Sequence, residues 1–270
     1  MTLNAQSSPQ NLEGSLQISG ALQATSDAPQ IAPQGIVGGA SFASGVPLAP
    51  GAIISLFGSQ LADGSATAAS LPLANQLQGA SVVIAGELSP LFFASSGQLN
   101  AALPLNVTPN TSQQILVTRD TAISVPVSVD VAPAQPAVFP NPVANAPNQG
   151  RIFAVTATSS GQSTFLAQPA SPATAGDTLV IYCAGLGQVN QTIAPGAGSP
   201  ASPVAKTNAQ PQVTVGGQAA SVTFSGLTPG LVGIYQVNAV APGGVTAGDR
   251  APVVLTIAGQ VSPVVTIAVK

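Results

Sequence analysis

Histidine and tryptophan are absent from this 270-residue chain, and cysteine occurs once, at Cys183. Without histidine, neither a Ser-His-Asp triad nor a Cys-His pair can be assembled, and zinc loses its usual ligands. The lone thiol follows Ile181 and Tyr182 in an apolar segment, which predicts a buried core cysteine rather than a nucleophile. We therefore expect a protein that is not an enzyme and that uses no cofactor and no catalytic or structural metal.

Charged side chains are also scarce, with five basic and eight acidic residues and a net charge of −3. The basic residues are scattered, whereas nucleic acid binding needs clustered lysine or arginine, so no nucleic acid partner is expected. The carboxylates form no paired motif of the kind that glycosidases need. Asp177 and Asp249 each follow Ala-Gly, which predicts that they cap turns; a calcium site assembled across loops is the alternative.

Long apolar runs are missing, so the sequence predicts no membrane-spanning helix. No cationic start followed by an apolar stretch is present either, so no signal peptide is visible. The abundance of uncharged polar residues is nevertheless typical of exported surface proteins. We expect an extracellular or cell-surface location, with a signal removed from the precursor.

The chain is rich in glycine and proline, with 28 and 25 residues, which long helices do not tolerate. Short segments of alternating apolar and polar residues are separated by turn residues every 8–12 positions or so, a pattern typical of antiparallel β-sandwiches. Gly216-Gly217 predicts a two-residue hairpin turn, since both central positions of such a turn favour positive φ.

The sequence also repeats itself. Gln98-Leu99-Asn100-Ala101 recurs as Gln236-Val237-Asn238-Ala239, at an offset of 236 − 98 = 138, and other segments match in the same order. The offset changes only in steps, which indicates insertions in loops of a duplicated domain. The fold class predicted is all-β, with two tandem immunoglobulin-like antiparallel β-sandwiches and an extra N-terminal strand. The predicted parts are an N-terminal arm over 1–30, a first sandwich over 31–132, a proline-rich connector over 133–148 and a second sandwich over 149–270.

Several short motifs in order resemble one bacterial family across roughly residues 36–270. They include A-P-G-A-I-I-S-L-F-G from Ala49, V-P-V-S-V from Val125, and A-G-D-T-L-V-I-Y-C-A-G-L-G from Ala175. The family is the uncharacterised C-terminal domain family of Acidobacteria of the Solibacter type. The resemblance implies tandem immunoglobulin/TIG-like modules carried by large exported proteins, with no established activity.

The N-terminal arm contains an alternating segment whose apolar positions are Leu16, Ile18, Leu22 and Ala24. This period of two predicts a strand that lies outside both repeats. It could be an extra edge strand of the first sandwich, or a donor strand that pairs with a neighbouring subunit. The donor strand would produce a homo-oligomer or polymer, because a head-to-tail contact propagates. The leading hypothesis is thus a structural protein that assembles into an extracellular filament or surface layer. The alternative is a monomeric adhesion or glycan-binding module at the cell surface.

Two further patterns have a structural and a binding interpretation. The aromatic residues could form a carbohydrate platform, but their strand positions favour packing in the core. Gln98 and Asn100, like Gln236 and Asn238, share one face of a strand. A ligand site is one interpretation, and hydrogen bonds to an adjacent loop are the favoured one. The ten aromatic residues are Phe42, Phe57, Phe92, Phe93, Phe139, Phe153, Phe165, Tyr182, Phe224 and Tyr235.

Overall fold

A computed structural model describes residues 27–141, 148–159 and 161–270. Most of the N-terminal arm lies outside this range, including the strand predicted from Leu16, Ile18, Leu22 and Ala24. The donor-strand hypothesis therefore stays a prediction.

The described residues form strands and no helix, which confirms the predicted all-β class. No segment among them is therefore a helix long and apolar enough to cross a membrane. Every ladder between the strands is antiparallel, as expected for tandem immunoglobulin-like sandwiches. The strands are β1 (Gln30–Gly38), β2 (Ile53–Ser59), β3 (Ala66–Thr67), β4 (Ala80–Ile84), β5 (Glu87–Ser89), β6 (Leu91–Ala94), β7 (Gln98–Ala102), β8 (Thr111–Arg119), β9 (Ala122–Ile123), β10 (Val127–Val131), β11 (Ala137–Val138), β12 (Ile152–Thr158), β13 (Gly161–Leu166), β14 (Thr178–Ala184), β15 (Gln212–Val215), β16 (Gln218–Leu227), β17 (Tyr235–Val240), β18 (Gly248–Ile257), β19 (Gln260–Val261) and β20 (Val265–Val269).

Strands β1 to β10 make two sheets, which we call the first unit. One sheet has the order β1-β2-β7-β6-β3, and the other has the order β10-β8-β4-β5 with β9 beside β8. Alternation along each strand turns every second side chain inward. Ile54 and Leu56 from the first sheet share one buried cluster with Val82 and Ile115 from the second. The two sheets are therefore packed face to face as a sandwich.

Strands β11 to β20 make one ladder of ten strands, which we call the second unit. The main path is β13-β12-β14-β17-β16-β15-β18-β19, and β11 and β20 pair with β14 and β18. Strand β16 pairs with β15 through its first part and with β17 through its second part, with a bulge between Val222 and Phe224. Its turn to β15 is the predicted hairpin, since Gly216 and Gly217 both have positive φ and Val215 pairs with Gln218.

The segment predicted to be a proline-rich connector contributes a strand to the second unit. Ala137 and Val138 pair with Ala184 and Cys183 of β14. The Gln135 amide also donates to the Gly185 carbonyl at 2.7 Å. A Cβ at Gly185 would collide with the Gln135 backbone, so glycine lets these two chains approach. Over 135–139 the chain is thus part of the second sheet rather than a free spacer.

The two units are in direct contact. Leu105 of the first unit packs against the buried cluster of the second, and Gln188 Nε2 donates to its carbonyl at 3.3 Å. The Leu73 amide donates to the Gly196 carbonyl at 2.8 Å. Gly233 of the second unit lies against the first, because a Cβ there would come 2.8 Å from Ile53 Cγ1.

Candidate functional site

The aromatic side chains do not pack where the sequence suggested. Tyr235 alone among the ten is fully buried, with its hydroxyl donating to the Gly187 carbonyl at 2.5 Å. Phe42 is exposed, and the other eight are half-buried. The expectation of core packing was therefore wrong for most of them. The reason is that the two cores are filled mainly by aliphatic residues, although Phe165 still packs against the core of the second unit.

Three of these rings line one open cleft of about 420 Å³ on the second unit. The rings belong to Phe139, which directly follows β11, to Phe153 of β12 and to Tyr182 of β14. Phe153 and Tyr182 meet edge to face, with centroids 6.0 Å apart and planes at 84°. This geometry is favourable for aromatic pairs, and it fixes the orientation of both rings. The other lining residues are Arg151, Thr228, Leu231 and Ile234.

The backbone explains why the rings converge. Ile152 and Ile181 are buried on the inner face, so the alternation of the strands turns Phe153 and Tyr182 outward. The Phe139 amide donates to the Tyr182 carbonyl at 3.0 Å, which places its ring beside theirs. The sheet therefore positions the three rings, whereas Thr228, Leu231 and Ile234 of the lining belong to the loop between β16 and β17.

Arg151 is the one charged residue among the described residues that line the cleft. Its amide donates to the Phe139 carbonyl at 2.7 Å, and its carbonyl accepts from the Tyr182 amide at 3.2 Å. These bonds hold Arg151 between the two rings, and its side chain is exposed. Within the described residues the guanidinium makes no ion pair. Its donors therefore remain available to a ligand.

Thr228 contributes a second polar feature in the wall of the cleft. Its Oγ1 is buried and has no hydrogen-bond partner among the described residues. A buried hydroxyl without a partner costs free energy. Sequence reasoning identified neither Arg151 nor Thr228, because neither lies in a recognisable motif.

The amide pairs lie on the same outward faces. Gln236 Nε2 donates to Asn238 Oδ1 at 2.9 Å, and Gln98 Nε2 donates to Asn100 Oδ1 at 2.8 Å. Among the described residues the expected hydrogen bonds to an adjacent loop are not formed; each pair bonds internally along its own strand. Gln236 lies directly opposite Tyr182, so the second pair is next to the cleft on β17 without lining it.

The remaining candidates have structural roles. Cys183 is fully buried, as predicted, and burial raises the pKa of its thiol. Asp177 accepts hydrogen bonds from the Thr174 amide at 2.7 Å and from Thr156 Oγ1 at 2.6 Å, which confirms its role in a turn. Asp249 lies exposed within β18 and does not precede a strand. In the described ranges no three cysteine or carboxylate side chains are grouped to hold a metal ion.

Comparisons with solved structures find similarity of fold at low sequence identity. The surface glycan-binding protein SGBP-B from the mixed-linkage glucan utilization locus of Bacteroides ovatus is 14% identical, with a TM-score of 0.36, over 91% of this chain and 47% of that chain. Domains 5-6 of the S-layer protein SbsC are 16% identical, with a TM-score of 0.24, over 89% of this chain and 98% of that one. The titin Ig tandem A164-A165 is 10% identical, with a TM-score of 0.22, over 83% and 90%.

This chain thus spans about half the length of SGBP-B. A scan of protein-family models matched none, and a search of curated proteins gave no significant match. The resemblance to the Solibacter-type family accordingly stays a prediction.

Proposed function

We propose that this protein is a non-enzymatic glycan-binding protein of the cell surface or extracellular space. It recognises a polysaccharide through the cleft formed by Phe139, Phe153 and Tyr182. The observation that carries the proposal is that three half-buried rings line one open cleft, whereas Tyr235 is the only one of the ten aromatic residues that is fully buried. Leaving large apolar rings in water is unfavourable unless they serve a contact.

The chemistry of the cleft fits a sugar chain. The C–H faces of a pyranose ring are apolar and stack on aromatic rings, while its hydroxyls need donors and acceptors at the rim. Arg151 supplies donors, and the Gln236–Asn238 pair supplies both donors and acceptors. A site with mostly apolar walls and a few convergent polar groups is typical of small-molecule recognition.

Affinity electrophoresis through soluble polysaccharides would test the proposal. The panel would contain mixed-linkage β-glucan, xyloglucan, galactomannan and polygalacturonate. We expect at least one to retard the wild-type protein and to retard Tyr182→Ala and Phe153→Ala about tenfold more weakly. Each ring buries roughly 50–60 Å² against a sugar, which corresponds to about 1.4 kcal/mol.

Phe42→Ala is the matched control, because Phe42 is an exposed aromatic residue outside the cleft. It should migrate like the wild type. Equal loss in Phe42→Ala and Tyr182→Ala would point to non-specific adhesion, and no retardation by any polysaccharide would argue against a glycan ligand. Binding of a proline-rich peptide instead would reassign the cleft to peptide recognition.

Assembly through the N-terminal arm is the second candidate function, and β13 is the observation that favours it. This strand forms an edge of the ten-stranded ladder, and residues 161–164 are exposed. An open edge can accept a strand from another molecule. Deletion of residues 1–26 leaves β1 intact and should abolish any polymers seen by electron microscopy. Polymers that survive the deletion, or a monomeric full-length protein, would contradict this candidate.

A further inference from the structure

The second unit carries a set of four side chains on its outward face, which we call the second tetrad. It consists of Tyr182, Gln236, Asn238 and Phe224. Tyr182 lies opposite Gln236, and Phe224 lies opposite Asn238, so the two amides are placed between two rings. All four are half-buried, whereas Val237 between the amides is fully buried.

The first unit contains the same arrangement, the first tetrad, formed by Phe57, Gln98, Asn100 and Phe93. Phe57 lies opposite Gln98, and Phe93 lies opposite Asn100. These four are half-buried too, and Leu99 between the amides is fully buried. The two tetrads thus match in register and exposure, and in residue type except that Tyr182 corresponds to Phe57.

The internal hydrogen bond leaves most of each amide pair unused. A glutamine and an asparagine together offer four N–H donors and two carbonyl oxygens, and the bond between them uses one donor and one acceptor site. Within the described residues, the side chains of Gln98 and Asn100 make no other hydrogen bond. The bond fixes both amides, so their remaining groups are held in place beside the rings.

The two tetrads differ in their surroundings. In the second unit, Phe153 lies on β12 and Arg151 directly precedes that strand. Both are next to β14. Strand β1 takes the same place beside β2, because Ile36 pairs with Leu56 as Ile152 pairs with Ile181. The equivalents of Arg151 and Phe153 are therefore Gly35 and Val37, neither of which offers a ring or a charge. The first tetrad is a smaller and uncharged version of the site.

The outward face of β2 leads from the first tetrad to the boundary with the second unit, and Ser55 between them on that face is covered. Ile53 and Phe57 lie on the same face of β2, four residues or about 13 Å apart. Ile53 contacts Gly233, which precedes the cleft residue Ile234. Phe139 of the cleft packs against a small cluster that includes Ala40 of the first unit. The border of the cleft is thus also the border of the first unit.

We propose that the first tetrad is an auxiliary subsite for the same polysaccharide chain that the cleft binds. This inference rests on the proposed function. A long chain bound in the cleft meets the first tetrad at high effective concentration, so that a weak second contact strengthens binding of polymers. A short oligosaccharide fills the cleft alone.

Chain-length dependence tests this inference. The probes are the panel polysaccharide that retains the wild-type protein most strongly and a tetrasaccharide prepared from it, both titrated by calorimetry. Phe57→Ala should weaken binding of the polysaccharide about tenfold and change that of the tetrasaccharide less than twofold. Tyr182→Ala should weaken both. Phe57→Leu, which keeps apolar bulk without a ring, should reproduce the loss while it retains the wild-type thermal midpoint.

The outcomes separate the two proposals. Unchanged polysaccharide binding by both Phe57 variants, with loss in Tyr182→Ala, would overturn the auxiliary subsite and leave the cleft standing. An equal loss for both probes in Phe57→Leu would also overturn it, since the first tetrad would then act on the cleft itself. Undiminished binding of both probes by Tyr182→Ala would overturn the proposed function.

Discussion

Replacement of Tyr235 by phenylalanine should destabilise the second unit, because this residue joins the core to the boundary between the units. Its ring is fully buried, and its hydroxyl donates to the Gly187 carbonyl at 2.5 Å. The same hydroxyl would lie 2.6 Å from a Cβ at Gly51 of the first unit. Tyr235→Phe removes one oxygen atom and nothing else, so its effect isolates that hydrogen bond.

The expected cost follows from the burial of the bond. Loss of the hydroxyl leaves the Gly187 carbonyl without this partner in a place that water does not reach. An unsatisfied buried group costs about 1–3 kcal/mol, so we expect a loss of about 2 kcal/mol in the free energy of unfolding. With a urea dependence of about 2 kcal/mol per M, the unfolding midpoint should fall by about 1 M.

Urea unfolding followed by circular dichroism measures this shift, and Tyr182→Phe is the matched control. Tyr182 is half-exposed, so loss of its hydroxyl should change the free energy of unfolding by less than about 0.5 kcal/mol. A Tyr235→Phe midpoint within 0.2 M of the wild type, or an equal shift in both variants, would refute the reasoning.

Three further predictions concern stability. Burial raises the pKa of the Cys183 thiol, and burial together with the nearby Cys183 raises that of Tyr235, from ordinary values of 9.0 and 10.0. Both pKa values are higher in the folded than in the unfolded state, so the free energy of unfolding is fully present below about pH 9 and falls as the pH rises above it. Urea midpoints between pH 8 and 11 should show this fall. Cys183→Val should make the fall smaller. Gly51→Ala should lower the thermal midpoint more than Gly86→Ala does. Both glycines have positive φ, but only a Cβ at Gly51 meets other atoms. Equal shifts of the midpoint would contradict this packing. Thr228→Val should raise the free energy of unfolding by about 1 kcal/mol, because it removes a buried hydroxyl without a partner, and a loss of stability would show that the hydroxyl is satisfied.

Sequence patterns predicted the fold well because its determinants are local or repeated. The alternation of apolar residues identified the strands, and glycine pairs such as Gly216-Gly217 identified a turn whose backbone requires positive φ. The recurrence of Gln98 and Asn100 as Gln236 and Asn238 predicted a duplicated unit, and the matching registers agree with it.

The candidate site could not be predicted in the same way, because it depends on which face of each strand is covered. Phe153 and Tyr182 occupy strand positions compatible with either face, and only the packing of Ile152 and Ile181 determines that the rings point outward. Phe139 lies in a proline-rich stretch that seemed to be a spacer, yet β11 adds it to the sheet. Pairing between strands that are distant in sequence brings the three rings together.

Tyrosine fluorescence during titration with a retained polysaccharide tests the central claim most directly. The chain has no tryptophan and only two tyrosines, so the emission reports on Tyr182 in the cleft and on Tyr235 in the core. We predict a saturable change in the wild type that Tyr235→Phe retains and Tyr182→Phe loses. A change that persists in Tyr182→Phe, or binding of the polysaccharide with no change in the wild type, would contradict the assignment of the cleft.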